Sequence, residues 1–490
     1  MNPDKRARRQ SMRIIISEIL MVVAVIITVI ILALIVSGYW VGSDFKLERQ
    51  GMLQINSVPT GASVAVDGDA PWYQRTNTSK VLASGTHEIS LTKDGYDSWS
   101  RTVNIRDGLL YRVQYPRLFL KNRTTELVAS VGTASLATIS PAHDTMLLIN
   151  NTTLWQIYDL TSDKVTPRSY DVSKILSAVS LADDADTGLY TGTIEPASWS
   201  YDGEHLLVKS VSGDTTEWVL LNLRTPADSV NLTKTFATEL TTTPSSLRIH
   251  DHSASTVLAL VDSTLYRLDI PTRRATVVVP TGVTSYSNFG DNIIYTAKIP
   301  DSSTYNPAQE LIPHGAIADD FRPSYFAAFT KLGSDTTTYL TSFVTPAHAY
   351  FSQFYNEKYL TIIDGANFSV YSRADYSLVA SKKLDFTPDY VRIGMSGEFV
   401  LMNSGQDCAT WDMEALELST WSLDSPHFGW LDDSMLYTVL GGTLSVYDYD
   451  GQNHRNIATN VSELFPVTVT DNKWLYYFTD YHLAREKIVE

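Results

Sequence analysis

The sequence predicts an all-β ectodomain behind one N-terminal transmembrane helix, with a small β-sandwich followed by a β-propeller. Three observations predict this: an apolar run near the N-terminus, a short stretch of alternating strands broken by Asp-Gly turns, and a strand–turn–strand pattern recurring along the rest of the chain. Composition sets the bounds. At 490 residues the chain exceeds the roughly 100–200 residues of one domain. With 44% hydrophobic and 19% charged residues it is able to bury cores. A net charge of −16 repels phosphate backbones and argues against a nucleic-acid partner. Cys408 is the single cysteine, which excludes an internal disulfide, a Cys-rich metal site and an iron–sulfur cluster.

Residues 1–13 form a basic tail carrying Lys5, Arg6, Arg8, Arg9 and Arg13 against Asp4 alone. From Ile19 to Val36 every residue is apolar except Thr28, and Ile14–Ile16 extend the run backwards. At 1.5 Å per residue this length matches the roughly 30 Å hydrocarbon core, so 14–37 is predicted to span a membrane as an uncleaved signal-anchor. A cleaved signal peptide would have a shorter apolar region ending in a small-x-small site, for which Ala33–Gly38 offers only a poor version. The basic tail would stay in the cytoplasm and everything after Trp40 would lie outside the cell membrane. Residues 38–50 read as a polar linker, with Tyr39 and Trp40 at the membrane interface.

Residues 51–120 change to strand language. Leu53 and Ile55, Val64 and Val66, and His87, Ile89 and Leu91 alternate with polar neighbours. Pro59-Thr60-Gly61, Asp67-Gly68, Ser84-Gly85 and Asp94-Gly95 punctuate them; Asp-Gly between strands is a strong type I′ hairpin signal. Pro59, Gly61, Ala62, Asp67 and Gly68, followed by Gly85 and then Gly95-Tyr96, resemble the PEGA domain, named for its Pro-x-Gly-Ala turn ahead of a strand and Asp-Gly. The family usually carries a Gly-x-Thr-Pro turn in the middle, where this chain has Ala70-Pro71-Trp72-Tyr73-Gln74-Arg75. The middle hairpin is therefore expected to differ. The resemblance implies a surface β-sandwich used for binding or spacing, with these residues serving the fold.

From 123 to 490 a unit recurs: a strand, a polar turn with Asp, Gly or Asn, then a strongly apolar strand. Ala137–Ile149, Ala197–Val208, Val391–Met402, Phe428–Tyr437 and Val467–Tyr476 are clear copies, and weaker ones start near Leu247, Ser285 and Ala349. Eight copies at about 46 residues each fit the roughly 40–50 of propeller blades, which favours eight blades over seven. The units are similar to those of TolB-like and WD40-like propellers, without the Trp-Asp dipeptide. Glu126–Val131 is expected to complete the last blade, and 299–325 reads as a long loop in the fourth.

The search for chemistry finds no nucleophile elbow, no phosphate-cradling loop and no His-Glu-x-x-His. His250 and His252 have the spacing of half a metal site, but no third ligand is identifiable, and solvated turn histidines are the simpler reading. Asp183, Asp184 and Asp186, and Asp319 and Asp320, lack the spacing of a calcium loop. Trp199, Trp411, Trp430 and Tyr447 read as blade core rather than a sugar-stacking platform. No catalytic residue, metal or cofactor is expected. The chain reads as a non-catalytic, membrane-anchored protein of the bacterial cell envelope that binds protein or cell-wall polymer partners. The alternative is a propeller hydrolase or lyase whose acid–base groups gather at the central channel. A rim of converging Asp, Glu and His would favour the enzyme, and an aromatic rim would favour binding.

Overall fold

The computed structural model describes residues 20–29, 32, 39–41 and, from Leu47 onward, all but 72, 133, 151–153, 173–174, 176–191, 251–253, 300–323, 335, 352–357, 395 and 480. Beyond the N-terminal helical residues it is built of strands and two short helical turns, Pro226–Asp228 and Leu232–Thr235, in two compact units: 1–122 with 489–490, and 123–488.

Of the predicted span 14–37, residues 20–29 and 32 are described and are helical, and the rest lies outside the described residues. Among the described residues no helix is long and apolar enough to cross a membrane. The basic tail, with Lys5, Arg6, Arg8, Arg9 and Arg13, lies outside the described residues. The expected linker also differs, because Tyr39–Val41 pairs antiparallel with Leu47–Arg49 and so belongs to a sheet.

In the first unit, Leu47–Ile55 pairs antiparallel with Thr78–Ala83 and parallel with Leu110–Val113. A second sheet joins Ser63–Val66, Gly85–Thr92 and Trp99–Ile105. Alternation turns one face of each inward, and Leu53, Ile55, Val64, Ile89, Leu91, Trp99 and Ile105 are at most 1% exposed. The two sheets meet at Gly51, where a Cβ would fall 2.6 Å from Ile105 Cγ2 and 2.4 Å from the Arg106 carbonyl oxygen. The predicted type I′ turn is present: Asp67 and Gly68 have φ of +53° and +81°, and Val66 and Asp69 exchange both backbone hydrogen bonds at 2.9 Å. In the divergent middle segment, the Val64 amide donates to the Gln74 carbonyl. The buried Thr76 hydroxyl accepts from the Ala62 amide at 3.0 Å.

The second unit contains eight four-stranded antiparallel sheets, numbered here as blades 1–8: residues 134–171, 193–231, 246–279, 283–343, 348–383, 390–422, 428–459, and 468–487 completed by Thr125–Ser130. Second strands such as Thr256–Val261, Phe399–Ser404 and Met435–Leu440 are buried along almost their whole length. Both of their faces pack on neighbouring blades, which explains why their sequences run apolar without alternating. One cluster of buried side chains joins blades 1 and 2, including Leu147, Trp155, Leu206 and Val219. Similar clusters join 2 to 3, 3 to 4, 4 to 5, 5 to 6 and 6 to 7. The Val469 amide bonds the Leu431 carbonyl between blades 7 and 8, and Met146, Tyr158, Tyr476 and Phe478 join 8 to 1. The ring is closed, and it is an eight-bladed propeller.

Chemistry at the recurring turn explains the repeat. In blade 2 the Ser200 hydroxyl accepts from the His205 amide at 2.8 Å and donates to Asp202 at 2.6 Å, while Asp202 accepts from the Glu204 amide. Gly203 follows with φ +70°, its missing side chain leaving room for Ser140 of blade 1. Asp432 of blade 7 accepts from the amides of Ser434 and Met435 in the same way.

Candidate functional site

The first strands of neighbouring blades converge, as Thr193–Trp199 does on Ser246–Ile249 and Val283–Phe289 on His348–Phe351, so these strands form the inner ring. Along each inner strand, successive side chains face opposite neighbouring blades. Leu247 and Ile249 pack toward blade 2. Arg248, between them, points the other way and is exposed, with its guanidinium 6.0 Å from the ring of Tyr286 in blade 4. It lies close enough to Tyr350 of blade 5 to draw that phenol's pKa down, although burial dominates and the net shift is upward. His348 of blade 5 approaches Ser285 at 3.4 Å.

The same pattern recurs in blade 6. Val391 and Ile393 pack toward blade 5. Arg392 between them turns toward blade 7, 4.3 Å from the Tyr390 ring. Tyr390 in turn meets Phe428 edge-on at 6.2 Å. Arg392 is exposed to water, yet its pKa is lowered by desolvation. Part of the guanidinium keeps its contact with water while neighbouring side chains displace the rest of its hydration. It stays cationic at neutral pH all the same.

Between blades 2 and 3 the channel wall opens into a cleft of about 290 Å³ lined by Glu195, Lys209, Trp218, Ser245, Ser246 and Arg248, among others. Glu195 and Lys209 are opposite each other on adjacent strands and pair at 3.3 Å. Among the described inner-strand residues Glu195 is the one carboxylate and His348 the one imidazole, two blades and more apart. The inner ring therefore offers cations and aromatic rings: Arg248, Arg392, Tyr350, Tyr390 and Phe428. Among the described residues of these strands, no carboxylate lies within hydrogen-bond reach of an imidazole.

The residues singled out from sequence fall elsewhere. Pro59, Gly61 and Ala62 form the sandwich turn, with Gly61 at φ +76° and Ala62 fully buried. Asp67 ties that turn to the next strand by accepting from the Glu88 amide at 2.9 Å and meeting His87 Nδ1 at 2.7 Å. The His87 bond holds the Asp67 carboxyl below the usual range. Burial opposes a charged imidazole at His87, but the bonds to Asp67 and to the Ala83 carbonyl outweigh it and the net pKa is raised. Gly85 opens a strand opposite Ile105, Gly95 has φ +82°, and Tyr96 is buried.

His250 faces Asp291 at 3.4 Å, whereas His252, Asp183, Asp184, Asp186, Asp319 and Asp320 lie outside the described residues. Among the described residues no group of three His, Cys, Asp or Glu is placed to hold a metal. Trp411 is fully buried, the indole of Trp199 donates to Thr138, and Tyr447 is 8% exposed and donates to Asp424, all within blades. Burial pushes the Cys408 thiol up to about 12, which leaves it unreactive. Sequence reasoning passed over Arg248 and Arg392. The signal was a charged residue between two apolar ones, Leu-Arg-Ile and Val-Arg-Ile, at the inner strand of a repeat.

No curated protein matches the chain. Solved structures with similar chain traces include an oligogalacturonate lyase in complex with manganese, at 14% identity and TM-score 0.39, covering 63% of this chain and 96% of that one. Kluyveromyces lactis Hsv2 is 9% identical with TM-score 0.41, covering 67% and 98%. The Cps50 (Swd1) β-propeller domain of Myceliophteria thermophila is 9% identical with TM-score 0.38, covering 75% and 100%. The propeller assignment rests on the closed ring of eight sheets in this chain. Ahead of that ring, residues 50–117 match the PEGA domain and form the sandwich described above.

Proposed function

We propose that this chain is a non-catalytic, membrane-anchored protein of the cell envelope, whose PEGA domain acts as a spacer and whose propeller channel binds a protein or cell-wall polymer. The observation that carries the reading is the inner ring, where aromatic rings and arginines stand in place of converging acids and bases. A hydrolase or lyase would need an acid–base pair within hydrogen-bond reach of one substrate atom. Glu195 is already paired with Lys209, and His348 stands on a different blade.

The anchor is supported by the basic tail, the apolar run 14–37, and the helix at 20–29. Eight apolar side chains of that helix, from Leu20 to Val29, are 45–68% exposed and require apolar surroundings. Its single hydroxyl, on Thr28, donates to the Ala24 carbonyl at 2.8 Å, as a polar group in lipid must.

The test is site-specific photo-cross-linking of the full chain in intact cells. A photoreactive residue replaces Tyr350 or Phe428 in the channel, or Leu378 on an outer strand. The expected result is one discrete set of adducts from both channel positions and none from position 378. Adducts arising equally from position 378 would overturn the channel as the recognition site.

A further inference from the structure

In a protein with 54 acidic side chains, arginines readily find carboxylates, and four of this propeller's do. Arg123 pairs with Glu486, Arg224 with Glu204, Arg267 with Asp269 and Arg485 with Glu126. Arg248 and Arg392 do not. Among the described residues neither has a carboxylate within ion-pair distance, and each contacts only the aromatic face beside it. Both occupy the same structural position, the middle of an inner strand flanked by two apolar residues, in blades 3 and 6 of an eight-blade ring.

Arg248 and Arg392 both keep water-accessible surface, and at Arg392 desolvation also lowers the pKa beside its aromatic neighbours. Neither aromatic contact engages the five N–H donors of the guanidinium in hydrogen bonds. A planar fork of donors, left open toward a water-filled channel, fits a carboxylate or phosphate in bidentate fashion. The net charge of −16 repels anions at long range, so an anionic ligand has to be held by specific contacts such as these two guanidinium forks.

We propose that the central channel binds a ligand bearing at least two oxyanion groups, one held by Arg248 at the mouth of the cleft between blades 2 and 3 and the other by Arg392 beside Tyr390. This rests on the reading of the channel as the recognition site and adds the chemistry of what is recognised. Carboxylate and phosphate present the same planar or tripodal oxygens to arginine, so the two sources are separated by the probes.

The full chain, in detergent, is titrated with fluorescently labelled poly-L-glutamate in one series and labelled inorganic polyphosphate in another. Binding is read by anisotropy at 0.05 and 0.15 M salt. The expected result is saturable binding of at least one probe, weaker at the higher salt. The Arg248→Gln/Arg392→Gln double variant is expected to lose about tenfold or more in affinity, the loss of charge-assisted hydrogen bonds. Arg392→Lys keeps the charge but loses the fork, and falls between. Preference for one probe identifies the oxyanion. The variants should melt with the parent, and Lys383→Gln on an outer strand should bind like it.

Equal affinity of parent and double variant, or no binding of either probe at millimolar concentration, overturns the proposal. If channel cross-links from positions 350 and 428 persist in that case, the channel reading stands and only the anion assignment falls. If they vanish as well, both fall.

Discussion

Glu398 stands in blade 6 with Asp412, Glu414 and Asp433 close enough to repel its charge, and burial pushes its carboxyl up to about 8. The folded state therefore keeps a proton that an unfolded carboxyl, near 4.5, releases. The contribution is fully present below pH 4.5 and is lost as pH rises through 8. Glu398→Gln keeps the shape of the protonated acid and removes this dependence. Its melting temperature should exceed the parent's at pH 9 and coincide with it near pH 5. Parallel pH profiles for the two proteins would show that Glu398 ionises without consequence. At this scale the sequence is legible where one residue alone fixes the backbone, as at Asp67-Gly68. Arg248, Arg392 and Glu398 were opaque, because their importance comes from neighbours brought in by other blades.

Individual elements show a similar division. The second and third strands of each blade were readable as apolar runs bounded by turns, and the Ser and Asp of those turns bond the backbone amides that follow. Outer strands were nearly invisible: Val230–Asn231 is two residues long, and Leu378–Lys383 is exposed along most of its length. An element held by one ladder of backbone bonds needs no particular side chains. The N-terminal apolar run was legible as a helix, and its described residues 20–29 and 32 are helical. In the sandwich, the two sheets approach so closely at Gly51 that a methyl group has no room. Gly51→Ala is expected to destabilise this domain by about 1–3 kcal/mol, the usual cost of overpacking. Chemical denaturation followed by hydrogen exchange in residues 50–117 would measure it, and an unchanged domain would show that Arg106 and Ile105 yield freely.

For the whole molecule, the closing strand was readable, and the repeat length narrowed the ring to seven or eight blades with eight favoured, the number that the sheets give. What the repeat did not reveal is how the ring is locked. Glu486, 5% exposed, accepts from Thr125 and Tyr477 at 2.8 Å and pairs with Arg123 at 3.3 Å, and Arg485 binds Glu126 at 2.9 Å. Removing the Glu486 carboxylate takes the ion pair from the largely buried Arg123 and two hydrogen bonds from the final seam. Glu486→Ala should lower propeller stability by roughly 3 kcal/mol or more, as expected for breaking a buried pair. Denaturant unfolding followed by tryptophan fluorescence reads the loss. Unaltered unfolding would place the lock in the strand pairing alone.

Closure also sets a schedule. Glu126 and Arg485 stand 359 residues apart, so the strand that completes the last blade is made first and its partner last. At roughly 5–20 residues per second of synthesis, Thr125–Ser130 waits on the order of 20–70 s with its backbone donors and acceptors unclaimed. During that interval the nascent chain carries an open edge able to recruit the wrong strand, its own or a neighbour's. Pairing with His482–Lys487 thus ends that interval, and a chain lacking 468–487 is expected to keep the edge at Thr125–Ser130 open and to aggregate.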